Sequence, residues 1–454
     1  MASHGLRSLA VICCWLAPLI SSLVAADDSP VVPEKLQPLL KNVQTLVEAE
    51  SDSLEAFYKD LHSNPELSMM EERTAGKLAR EMRSLGFEVT TGVGKTGIVC
   101  VLKNGDGPTV LVRTDMDALP VIEKTKLPYA STVRTRDRSG NEVGVMHACG
   151  HDIHMSCWIG AARTLVKLKG KWSGTLVFIG QPGEEIGTGA RLMLADGLYE
   201  KFPKPDYALA LHADAKLPIG QIGYSEGLAM ANVDTVEIVV RGKGGHGAAP
   251  HTTVDPIILA AKIVLDFQNI VGREVDPLEP VVITVGSIHG GTKSNIIPND
   301  VKLQVTVRTA SDPIRKQVLE AMERIVVGHA KTARAPEPTF LVDTNEFTPA
   351  LYNETKLTQK TVSLFQGLLG SNALIKRNPS MGGEDFARYA RGGVPIFMYF
   401  LGTIDQPRFN AANQPGGTPL PSMHADTYFP TPAPSIRLGS QTMTLAVLNL
   451  LPIR

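Results

Sequence analysis

Residues 175–185 read Thr175-Leu-Val-Phe-Ile-Gly-Gln181-Pro-Gly-Glu184-Glu185. A short apolar run of β-formers stopped by Pro-Gly is a buried strand. Two carboxylates then stand at its carboxyl edge, where open α/β sheets keep their sites. Runs of the same kind occur at 109–113, 207–211 and 395–401. Between them, apolar residues recur at helical spacing over 43–85 (with a break at Asn64-Pro65), 154–168, 188–199 and 435–451. This alternation predicts an α/β fold with a central, mostly parallel sheet flanked by helices.

The texture changes near residue 230. Residues 233–241 alternate apolar and polar, as a strand solvated on one face does. Asp255-Pro256 pairs an N-cap with a proline suited to a first turn, and Asp312-Pro313 marks a second helix start. They open helices to about Ile270 and Ala330. Strands are expected at 281–285, 301–307 and near Phe340. The result is a smaller α+β unit inserted into the larger domain. The expected divisions are a leader at 1–26, a catalytic part at 27–229, an inserted lid or dimerisation unit at 230–345, and a second catalytic part at 346–454.

The chain has 454 residues, more than one core usually organises, with 43% apolar and 20% charged residues. Its formal net charge of −1, without basic blocks, excludes a nucleic-acid-binding class. Arg7, the apolar stretch 9–23 and Val24-Ala25-Ala26 have the order of an export signal peptide. The stretch is shorter than the roughly 20 residues of a spanning helix. The expectation is therefore an exported protein, periplasmic or secreted, with no membrane anchor after processing. Of five cysteines, Cys13 and Cys14 would leave with the leader, and Cys100, Cys149 and Cys157 remain. Three is too few for a disulfide framework.

Chemistry concentrates at His147-Ala-Cys149-Gly-His151-Asp152-Ile-His154. Thiolate, imidazole and carboxylate together bind divalent transition metals. Read as an extended segment, it places Cys149 and His151 on one side. His154 either supports such ligands or simply begins the next helix. Of the Glu184-Glu185 pair, one acid suits a metal and the other suits proton transfer. His212 follows the strand 207–211, and His424 stands in Ser422-Met-His-Ala-Asp426. Asp115 and Asp117 close the strand 109–113, as ligands or as partners of imidazoles. His246 lies in Gly242-Lys-Gly-Gly-His-Gly247, where glycines allow close backbone approach for packing or for a ligand.

Six segments in order resemble the di-metal amidohydrolase and metallopeptidase family of aminoacylases, hippurate hydrolases and auxin-conjugate hydrolases. They are Arg113-Thr-Asp-Met-Asp-Ala-Leu-Pro, Met146-His-Ala-Cys-Gly-His-Asp, Gln181-Pro-Gly-Glu-Glu, Gly244-Gly-His-Gly-Ala-Ala-Pro, Ser294-Asn-Ile-Ile-Pro and Met381-Gly-Gly-Glu-Asp-Phe. Ile153 and Asp426 depart from the usual pattern. The resemblance implies two divalent ions (zinc, manganese, cobalt or nickel) held by Cys149, His151, Glu185, His212 and His424. It implies Glu184 as general base, His246 as polariser of the scissile carbonyl, Asn295 as a substrate contact and Asp117 as the group that orients a ligand. The implied reaction is hydrolysis of the amide of an N-acyl amino acid, with a dipeptidase or carboxypeptidase as the alternative enzyme. A conjugate-binding protein is the alternative outside catalysis. A homodimer is expected by the same resemblance.

Overall fold

The structure, a computed structural model, describes residues 32–454. The expected leader lies outside them. An eight-stranded sheet forms the larger unit, in the order Glu88–Val93, Gly97–Asn104, Gly174–Gln181, Thr109–Asp115, Tyr207–Pro218, Ile396–Ile404, Ile222–Tyr224, Leu374–Lys376. Its four central strands, from Gly174–Gln181 to Ile396–Ile404, run parallel, and antiparallel pairs flank them. The central strands read as continuous apolar runs because both faces are covered. Every residue of Ile396–Ile404 is buried. The helices His151–Lys167 and Pro432–Leu450 pack on one face, and each is buried along most of its length. Such all-round burial makes them the spine of the core.

The smaller unit is a four-stranded antiparallel sheet, in the order Val281–His289, Asp300–Thr309, Asn232–Arg241, Thr339–Val342. Burial alternates residue by residue along Asn232–Arg241 and Asp300–Thr309. One face packs on the helices Pro256–Asn269 and Asp312–Thr332; the other is more exposed, and Val233, Thr235 and Arg308 on it line a cavity shared with the larger unit. Asp255 and Ser311 cap these helices by accepting from the backbone N–H of Ile257 and Ile314. The chain enters and leaves the unit side by side. Val233 and Thr348 exchange both backbone hydrogen bonds, at 2.8 and 3.0 Å.

Three local readings change. The strand from Tyr207 continues to Pro218, so His212 sits within it, opposite Phe400. The segment around Cys149 is not extended. Gly150 adopts φ 79°, and the helix begins at His151. A side chain at Gly150 would be strained at that φ and would meet the Ala213 methyl at 2.9 Å. His154 therefore lies inside the helix, not at its start. No helix among the described residues is long and apolar enough to cross a membrane.

Candidate metal centre and active site

Four elements deliver the polar cluster to the carboxyl edge of the parallel sheet. The turn before the helix His151–Lys167 brings Cys149 and His151. The turn after Gly174–Gln181 brings Glu184 and Glu185. The strand Tyr207–Pro218 brings His212, and a late loop brings His424. The sulfur of Cys149 lies 3.3 Å from His424 Nε2 and 3.6 Å from His212 Nε2. Glu185 Oε1 is 3.5 Å from His424 Nε2 and 3.8 Å from His151 Nε2. With metal bonds of about 2.0–2.3 Å, ligand atoms on one tetrahedral ion stand about 3.5 Å apart. Two overlapping sets bring all their ligand atoms within 4.8 Å of one another: Cys149 with Glu185 and His424, and Cys149 with His151 and His212.

The ring nitrogens show which lone pairs are open. His151 donates Nδ1–H to the Asp117 carbonyl at 2.7 Å, and its buried Nε2 has no hydrogen-bond partner. His212 donates Nδ1–H to the Ala213 carbonyl at 2.7 Å, which frees Nε2. Both patterns suit a metal at Nε2. His154 differs. Its Nδ1 bonds to Asp115 Oδ1 at 2.7 Å, and its Nε2 accepts from the Ala213 amide at 2.6 Å. It holds its neighbours and has no lone pair to spare. Asp117 Oδ2 accepts from Ser68 Oγ at 2.6 Å and from the Glu185 amide at 3.0 Å. Through its carbonyl and its carboxylate, Asp117 thus positions both His151 and Glu185.

The electrostatics suit the binding of a cation. Burial, then the Glu185, Glu184 and Asp115 charges, push the Cys149 thiol well up. Burial with Asp117 and Asp115 raises Glu185 to about 7, against the pull of His151. Burial and then Glu384, Glu185 and Asp385 hold Glu184 well above the usual carboxylate range. Burial pulls the His151 imidazole down, but Asp115, Asp117 and Glu185 overcompensate and push it up to about 10. Acids crowded into a dry site, with Glu185 Oε1 and Asp117 Oδ1 unpaired, are what a divalent ion would neutralise. Behind Glu184, the buried Arg113 guanidinium bonds Asp115 and Glu384 at 2.8 Å each and Asp385 at 3.4 Å. It keeps that acidic wall together.

The cluster opens into a cavity of about 660 Å³ between the two units. Cys149, Glu184, Glu185, His212 and His424 all line it. His246 and Asn295 do not. They stand together on the smaller unit, where His246 pairs with Ile296 and Gly247 donates to the Asn295 carbonyl at 2.9 Å. Both are exposed. His246 Nδ1 accepts from the Ala248 amide at 3.0 Å, which leaves Nε2 as the N–H donor. Among the cavity residues with no counterpart in the sequence reading are Arg308 and Arg377. Arg308 sits at a polar position of an alternating strand, and Arg377 in a loop. Neither place distinguishes them from solvated surface.

The chain matches the family model for peptidase family M20/M25/M40 over residues 111–415. It is 36% identical over 373 residues to thermostable carboxypeptidase 2 of Saccharolobus solfataricus, covering 81% of this chain and 90% of the relative. It is 36% identical over 349 residues to N-acetylcysteine deacetylase of Bacillus subtilis, covering 76% and 87%. Among solved structures, it resembles the Bacillus subtilis YXEP protein, a dinuclear metal binding peptidase from the M20 family. The TM-score is 0.71 at 31% identity, covering 89% and 99% of the two chains. The chain belongs to peptidase family M20/M25/M40 and is a hydrolase of that family.

Proposed function

We propose that the protein hydrolyses the amide bond of N-acyl amino acids, releasing a carboxylic acid and an amino acid. The observation that carries this reading is the set of ligand atoms around Cys149, spaced about as ligands on one ion and backed by the unpaired Nε2 of His151. Cys149, His151, Glu185, His212 and His424 would hold two divalent ions, which polarise a carbonyl and acidify bound water. Glu184 faces the same space, 4.0 Å from His151 Nε2. Its place beside the candidate ligands suits a group that takes a proton from water and returns it to the leaving amine. Arg308 is half-buried at the cavity wall, and no carboxylate among the described residues pairs with it; its hydrogen bond goes to the Met381 carbonyl at 2.9 Å. It is suited to the free carboxylate of an amino acid. His246 Nε2–H would reach the carbonyl oxygen by closure of the smaller unit or from a second copy, and Asn295 would arrive with it. A relative named as a deacetylase supports the acyl-amino-acid reading, and one named as a carboxypeptidase supports peptide cleavage as the alternative.

The test is amine release from N-acetyl, N-benzoyl and dipeptide substrates. Mature protein would be stripped with a chelator and resupplied with zinc, manganese, cobalt or nickel. Metal-restored cleavage of the acyl amino acids is expected. Cleavage of dipeptides alone would replace this reading with the peptidase one.

A further inference from the structure

The metal-side wall of the cavity carries a second cationic cluster that the proposed chemistry does not use. Arg377 follows the short strand Leu374–Lys376 and stacks its guanidinium over the Phe400 ring, 4.2 Å from the centroid. Phe400 in turn lies 6.1 Å from the His212 ring. Asp214, two residues beyond His212, is buried and fastens the cluster. One carboxylate oxygen accepts from Arg377 Nη1, and the other accepts from the Lys216 amide at 2.6 Å. The exposed Lys216 side chain also lines the cavity beside Arg377. The exposed Glu346 also lines the cavity, from the segment that leaves the smaller unit.

A guanidinium has five N–H donors in a planar fork. At Arg377 only Nη1 has a hydrogen-bond partner among the described residues. Stacking on Phe400 and the tie to Asp214 hold the fork in place at little further entropic cost on binding. Within this same protein, Arg113 serves three carboxylates at once, so one paired acid does not exhaust an arginine. Arg308 faces the cavity from the smaller unit and Arg377 from the larger. A cavity of about 660 Å³ has room for a ligand that reaches both.

We propose that Arg377, held by Asp214 and Phe400 and assisted by Lys216, forms an anion subsite that selects amides carrying a second carboxylate. The substrate class is then dianionic: N-acylated acidic amino acids, or amino acids acylated by a dicarboxylic acid. This rests on the amidohydrolase reading for the reaction but not for the binding.

Two measurements on zinc-loaded, full-length mature protein separate these. The first compares kcat/KM for N-acetyl-glutamate with N-acetyl-glutamine, and for N-succinyl-leucine with its succinamide analogue. At least one charged member is expected to be preferred about tenfold or more, the size of a well-placed charged contact. In Arg377→Gln that ratio is expected to fall towards one while both metals remain bound. The second compares calorimetric binding of glutarate and butyrate, with glutarate expected to be about tenfold tighter and the advantage lost in Arg377→Gln. The double variant Asp214→Asn/Arg377→Gln, which removes the buried acid with its partner, serves if the single variant fails to load metal. Equal rates within both pairs, or a preference unchanged in the variants, overturn the subsite. A glutarate preference without cleavage of any amide keeps the subsite and overturns the amidohydrolase reading.

Discussion

His424 Nε2 and Cys149 Sγ lie 3.3 Å apart although 275 residues separate them in the chain. The approach is enforced from the backbone. The His424 amide donates to the Ala148 carbonyl at 2.9 Å, and His424 itself takes a left-handed conformation with φ 69°. A non-glycine residue held there stores strain of about 1–3 kcal/mol, which persists where the surroundings over-determine it. Removing either partner should therefore act on metal content first. Cys149→Ser and His424→Ala are each expected to lose at least one equivalent of metal, read by atomic emission on dialysed protein. Full metal content in both variants would take the pair out of the ligand set.

Glu184 is next to the candidate ligand Glu185, lines the same cavity and is the proposed base. Glu184→Gln keeps shape and removes the base. Turnover is expected to fall about 10²–10⁴-fold, the usual worth of general-base help, with metal content unchanged. Near-normal turnover would assign the base elsewhere.

His246 lies outside the cavity in the described arrangement, with Nε2–H as its free donor. If it completes the site by closure or from a second copy, His246→Ala should lower turnover about 10²–10³-fold, as loss of one oxyanion donor does. Both metals should stay bound. Loss of metal in this variant would place His246 among the ligands.

Beneath the metal cluster, His62 is fully buried, with Nδ1 2.7 Å from Asp152 Oδ2 and Nε2 3.2 Å from Glu123 Oε1. Burial alone would lower its pKa, but the two carboxylates more than offset that and raise it to about 9. The folded value lies above the ordinary histidine value of about 6.5. Stabilisation from the charged ring is thus fully present below about pH 6.5 and is lost as the pH rises through about 9. Urea midpoints from about pH 6 to about pH 10 should decline in the wild type more steeply than in His62→Gln. Parallel declines would show that His62 does not carry this pH dependence.

Much of the fold was legible because its strands are short apolar runs and its helices keep one period. The inserted sheet was legible from the alternation along 233–241. What the sequence concealed depended on backbone detail or on distance. Gly150 marked a place where the backbone is free to depart from the extended form, but not which form it takes: its positive φ starts the helix at His151 and brings His154 inside it. His154 stayed ambiguous until its two nitrogens could be seen committed to Asp115 and Ala213. Arg308 and Arg377 were invisible as site residues because polar positions on an alternating strand and in a loop are ordinarily solvated. Only the facing of the two units turns those positions inward. His246 and Asn295 lie side by side on the smaller unit but outside the cavity, a placement that spacing in the chain does not encode.

The paired backbone of Val233 and Thr348 has a consequence for how such a protein diversifies. Because both ends of the inserted unit are zipped to each other, its backbone joins the larger unit at one place, and its further ties are side-chain bonds such as Arg308 to the Met381 carbonyl and Arg391 to Asp312. Its loss or exchange would leave the strand order of the larger sheet, and the ligands fixed to it, undisturbed. The roles proposed for Arg308, His246 and Asn295 could therefore drift by replacement of that unit, while the candidate ligand set of the larger unit is kept.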